Sequence, residues 1–177
     1  MKQARSLFVT ATVASTVIVS AVTAHAAPKG GCEILAWPAT TELSWMKADD
    51  PLVVTSTAKL AEIPAKAISV TLTSSEAANL PVAPTRKPKE DAGKLFAGVV
   101  TFDNMPKAGT YQVSLSGPGW IDVVQGGKVL ASGEHTSAAD CDGIRKIVRF
   151  DIAEGPFAIM LSNVPSETIK LTLTPGL

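Results

Sequence analysis

The residues best suited to chemistry crowd one short stretch: Glu134-His135, followed by Asp140-Cys141-Asp142-Gly143. Carboxylates two apart before a glycine match part of a calcium loop, where alternate oxygens turn toward one ion. The full loop needs further oxygen ligands and a terminal Glu at a set distance, and neither follows here. Glu134, His135, Asp140 and Asp142 are therefore only a weak candidate metal set, and no metal or cofactor is expected. His135, as an imidazole, is a candidate general base or metal ligand. A Ser-His-Asp site would want a Gly-x-Ser-x-Gly elbow, which the chain lacks. Paired carboxylates for glycoside hydrolysis stand in no recognisable frame. No catalytic residue is assigned.

Aromatic residues offer a second kind of chemistry. Trp37, Trp45 and Trp120 would form a stacking surface for sugar rings if they converged, but burial in the core competes with that role. In a regular strand Trp120, Asp122 and Val124 share one face. Either that face is open and binds a ligand, or Ile121 and Val123 point inward instead. Trp120, Asp122 and His135 are the candidate ligand-binding residues. Arg145, Lys146 and Arg149 read as a charged strand face.

The compartment constrains all of these. Lys2 and Arg5 open the chain, residues 7–22 carry no charge, and Ala24-His25-Ala26 offers a small-x-small cleavage pattern. Residues 1–26 are therefore expected to be a cleaved export signal, with the mature chain starting near Ala27. Thr10, Thr12, Ser15, Thr16 and Ser20 dilute the apolar run, which argues against a spanning helix. Lys29-Gly30-Gly31 before Cys32 lacks the leucine of a lipoprotein signal, and there is no twin-arginine pair. A periplasmic or secreted protein with no membrane span after cleavage is expected. Cleavage would also remove His25, leaving His135 as the one remaining histidine.

In an oxidising compartment the two cysteines, Cys32 and Cys141, are expected to form one bridge. No second thiol lies two residues from either, so the thioredoxin-type spacing is missing. The chain has 16 Lys plus Arg and 16 Asp plus Glu. Without Lys2 and Arg5 the balance is 14 to 16, which suggests neither nucleic acid nor an anionic membrane as partner.

Residues 27–177 suit a single domain. Residues 33–37 read as an extended piece stopped by Pro38, and residues 40–48 as a helical turn or two. Ile68, Val70 and Leu72 alternate with polar residues, as do Tyr111, Val113 and Leu115, and Val148, Phe150 and Ile152. Further strands are expected at 96–102, 120–124, 128–131, 157–161 and 169–173, with a hairpin at Gly126-Gly127. Residues 81–91, with three prolines and five charges, read as an exposed loop, and residues 132–143 as a longer loop. The expected fold is all-β: an antiparallel, jelly-roll-like β-sandwich of eight or nine strands with one or two short helical turns.

Ala108-Gly109-Thr110-Tyr111, Trp120-Ile121-Asp122-Val123-Val124 and Gly127-Lys128-Val129-Leu130 together resemble the pre-peptidase C-terminal type of secreted β-sandwich. Residues 157–161 and 169–173 suit its final strands. The chain is also similar to exported bacterial proteins with a Trp-Ile-Asp-Val-Val strand and a Cys-x-Gly-x-Arg-Lys segment, here Cys141 to Lys146. The resemblance implies a sandwich fold and an accessory or binding role. The expected function is thus an exported, non-catalytic binding or accessory protein of the bacterial envelope, whose partner is an envelope protein, a glycan or a peptide. The alternatives are a periplasmic metal-handling protein using His135 and nearby carboxylates, and a hydrolase with a site dispersed over loops.

Overall fold

The computed structural model describes residues 30–88 and 92–176, so the expected export segment lies outside the described residues. Two mixed six-stranded sheets face one another, giving a sandwich-like β fold. The strands are β1 (Leu52–Thr55), β2 (Ala58–Leu60), β3 (Ile68–Thr71), β4 (Thr73–Ser74), β5 (Phe96–Met105) and β6 (Gly109–Leu115). They continue as β7 (Trp120–Gln125), β8 (Lys128–Val129), β9 (Ser132–Ser137), β10 (Lys146–Ile152), β11 (Gly155–Val164) and β12 (Thr168–Pro175). The first sheet runs β1-β3-β12-β6-β10-β9; the second runs β2-β5-β11-β7-β8, with β4 also paired to β5.

Period-two patterning explains the inner layer. Val113 and Leu115, Val148 and Phe150, and Leu171 and Leu173 point inward from the first sheet. Ile121 and Val123, Phe157, Ile159 and Leu161 meet them from the second. Phe102 and Phe157 stack with ring centroids 4.7 Å apart. Inward-pointing Ile121 and Val123 place Trp120, Asp122 and Val124 on the opposite face of β7.

Both outer faces are covered as well. Helix α1 (Thr40–Lys47) lies on the first sheet. There Met46, Ala138, Cys141, Ile144 and Ile147 form a second cluster, flanked by Trp37, Leu43 and Trp45. On the second sheet Leu80 and Val82 pack over Val99, Val124, Ala158 and Met160. Cover on both faces is why β5 and β11 read as continuous apolar runs instead of alternating ones.

The structure departs from the expected pattern in several places. Twelve strands form among the described residues, and two pairings, β1 with β3 and β2 with β5, are parallel. β1 and β2 follow one another but join different sheets, so the chain crosses the open side of the sandwich at Ser56-Thr57. Gly98 makes room for that crossing: a Cβ there would sit 2.7 Å from Ser56 Oγ. Residues 33–37 form no strand; Glu33 and Ile34 lie in a 3-10 turn, Gly31–Ile34, which also carries Cys32. The Cys32–Cys141 disulfide forms as expected, with Cα atoms 4.4 Å apart. The expected loop at 132–143 contains β9, which pairs with β10. The loop expected at 81–91 is mostly exposed over its described residues, 81–88, and Val82, with Leu80 just before it, packs on the second sheet.

Candidate functional site

Strand ends from both sheets converge at one end of the sandwich. β10 begins opposite the end of β6, with Lys146 facing Leu115, and opposite the end of β9, with Lys146 facing Ser137. In the second sheet Trp120 at the start of β7 faces Ser162 near the end of β11. The turn at residues 116–119 joins β6 to β7 at the same end. Together with the loop carrying Arg86 and Lys87, these ends wall a pocket of about 350 Å³.

Asp122 fixes one wall. It is 4% exposed. Thr85 donates to it twice, from its backbone N–H to Oδ2 at 3.1 Å and from its hydroxyl to Oδ1 at 2.5 Å. The Trp120 indole N–H donates to both Thr85 Oγ1, at 2.8 Å, and Asp122 Oδ1, at 3.1 Å. A buried carboxylate with three donors is well satisfied. Its work here is to pin the proline-rich loop to β7 and to hold the Trp120 ring by its edge.

Asn163 fixes the other side of the loop. Its φ is +54°, a left-handed value that asparagine tolerates better than most residues. The pairing of β11 with β5 shifts register between Leu161 and Val164, so Asn163 sits in an irregularity of the kind that re-aims a side chain. Its Nδ2 donates to the Arg86 carbonyl at 3.0 Å.

Cations dominate the remaining lining. Arg86, Lys87, Arg145 and Lys146 all border the pocket, and no described acidic residue does. The Arg86 guanidinium lies 4.9 Å from the Trp120 ring centroid and Lys146 Nζ 5.2 Å from it, within cation–π range. Lys146 also donates to the Gly119 carbonyl at 2.8 Å. Burial, then the neighbouring charges of Arg86 and Arg145, push the Lys146 pKa below its ordinary value.

The other candidate residues lie elsewhere. His135 is exposed on β9, opposite Val148, away from Trp120 and Asp122 in the strand pairing. Glu134 pairs with Arg149 at 3.4 Å, and exposed Asp142 pairs with Lys47 at 3.2 Å. Among the described residues no three His, Cys, Asp or Glu side chains gather as metal ligands. Trp37 and Trp45 pack beside the disulfide, with Arg149 3.9 Å from the Trp37 ring centroid, so the three tryptophans do not form one stacking surface. The charged trio also divides: Arg145 and Lys146 line the pocket while Arg149 covers Trp37.

Sequence reasoning passed over Thr85, Arg86, Lys87 and Asn163, although a dense Thr-Arg-Lys run inside a proline-rich segment marked the loop as unusual. A buried acid was missed too. Glu42 on α1 is 4% exposed and accepts from Gln112 Nε2 at 2.5 Å and from the Thr174 hydroxyl. Lys170 holds the other end of α1 by donating to the carbonyls of Met46, at 2.8 Å, and Ala48, at 3.3 Å. Compared with protein-family models, curated proteins and solved structures, the chain matches none.

Proposed function

We propose that this chain is an exported binding or accessory protein of the bacterial envelope that holds a small ligand in the pocket beside Trp120. One observation carries the reading: the proline-rich loop is locked to β7 by the Thr85–Asp122–Trp120 hydrogen bonds and to β11 by Asn163, beside a pocket of about 350 Å³. That volume falls in the range of small-molecule sites, and a pre-formed wall lowers the ordering cost of binding. The disulfide suits an oxidising compartment, and no helix among the described residues is long and apolar enough to cross a membrane. A relationship to pre-peptidase C-terminal sandwiches belongs to the same proposal. It is supported by Gly109 and Tyr111 on β6, Asp122 on β7 and the Gly126-Gly127 turn into β8.

Trp120 fluorescence tests the proposal. In a Trp37→Phe/Trp45→Phe background, a panel of sugars, sugar acids, phosphate esters and amino acids is titrated against the protein. At least one class is expected to change the emission saturably. An unchanged emission across the whole panel would remove the pocket as a ligand site.

A further inference from the structure

We infer that the ligand of this pocket is a small anion, its phosphate, sulfate or carboxylate group held by Arg86, Arg145 and Lys146. The inference rests on the proposed pocket function and adds the chemical class of what enters it.

Four cations face one small cavity, and none of them forms an ion pair with a described carboxylate. Ion pairs elsewhere on the molecule join Lys47 to Asp142, Lys59 to Asp103, Lys66 to Asp50 and Arg149 to Glu134. The chain therefore pairs several of its other cations and leaves this group facing each other. Like charges collected around one cavity repel, and an entering anion relieves that repulsion while gaining charge-assisted hydrogen bonds. Arginine adds geometry, because its planar fork matches a carboxylate or phosphate edge. The charged ends of Arg86 and Lys87 are not what holds their loop, which is fixed by Thr85 and by the Arg86 carbonyl.

Trp120 sets the size and shape of the ligand. Its indole edge is committed to Thr85 and Asp122, and its ring borders the cavity with cations near it. A ligand with a ring-sized body and anionic substituents can place the body against the indole and its charges on the cations. A phosphorylated sugar and a sugar acid share this chemistry, whether free or at the end of a glycan.

Thermal melting and Trp120 titration at constant ionic strength test the inference. The probes are pyrophosphate, glucose 6-phosphate, glucuronate and glucose. The anionic probes are expected to raise the melting temperature and shift Trp120 emission, while glucose does neither. Arg145→Gln/Lys146→Gln should weaken anion binding by about tenfold to a hundredfold, the effect of losing charge-assisted contacts. Should that variant fold poorly, Arg86→Gln/Lys87→Gln, on the exposed loop, is expected to weaken binding in the same direction. Stronger binding of the phosphate ester than of glucuronate would assign a phosphate-class ligand, and the reverse a carboxylate-class one. Binding of glucose with equal strength would overturn the charge assignment while leaving the pocket proposal standing. Anion effects that persist in both variants would overturn it as well. No response to any probe would overturn it too, and a response then found only with uncharged members of the wider panel would still leave the pocket as a ligand site.

Discussion

Thr85 and Asp122 stand 37 residues apart and meet through two hydrogen bonds, one from the Thr85 backbone and one from its hydroxyl. This contact decides where the proline-rich loop ends its path across the second sheet, and so where Arg86 and Lys87 face. Loop, tryptophan and pocket are coupled through one buried carboxylate.

Asp122→Ala is expected to cost about 2–3 kcal/mol, because both Thr85 donors would lose their acceptor while Trp120 would keep only Thr85 Oγ1. Urea denaturation of the variant measures this. The loop contact should also loosen, moving Trp120 emission to the red in the single-tryptophan background. A loss below about 0.5 kcal/mol, the range of ordinary surface changes, would mean that water replaces the carboxylate freely.

Lys146 should make stability depend on alkaline pH. Its folded pKa lies below the ordinary 10.5, so between the two values the unfolded chain holds more protons than the folded one. Unfolding free energy therefore gains an increasing contribution as pH rises through that window. Lys146→Met should flatten this contribution in urea titrations from about pH 7 to about pH 10. A bound anion acts in the opposite sense, favouring charged Lys146 and binding more weakly as the amine deprotonates. An unchanged pH profile in Lys146→Met would show that other groups control the window.

The disulfide ties residues 109 apart, and chain entropy predicts a contribution of about 4–5 kcal/mol from so long a loop. Cys32→Ser/Cys141→Ser should lose about 2–5 kcal/mol, read by denaturation against the oxidised parent. The cluster around Met46, Ile144 and Trp37 surrounds the bridge, so the lost stability should appear first as hydrogen exchange at α1. Exchange that accelerates first in the main sandwich core would contradict this placement.

Much of the inner layer was legible because Val113, Leu115, Val148, Phe150 and Ile152 alternate with residues on the other face. β9 was not legible, since Ser132–Ser137 is mostly exposed and owes its extended form to pairing with β10. β1 and β2 are short, and their parallel partners lie at a distance in sequence that local patterning cannot register. At the site, Trp120 and Asp122 stood out because a carboxylate shares a strand face with an indole. The second option holds: Ile121 and Val123 point inward, and the opposite face is not open but covered by the proline-rich loop, with a satisfied carboxylate beside a pocket. Arg86 and Asn163 were invisible because a loop contact and a strand irregularity bring them there, and neither has a periodic signature. His135 drew notice for its chemistry alone, and the fold leaves it on an exposed strand.

Glu42→Ala should destabilise the protein by about 2–3 kcal/mol, as Gln112 and Thr174 would lose their buried acceptor beneath α1. Glu42→Gln retains an acceptor and should cost less. Equal losses in the two variants would indicate that side-chain volume, and not hydrogen bonding, holds the helix.

Amide shift mapping would locate a bound anion on the fold. ¹⁵N-labelled protein is titrated with glucose 6-phosphate, and every resonance is followed. A ligand site beside Trp120 predicts saturable shifts of the Trp120 indole N–H, the Asn163 side-chain amide and the backbone around Arg86 and Lys146. Shifts centred on His135 and the outer strand β9, or none at the Trp120 pocket, would contradict it.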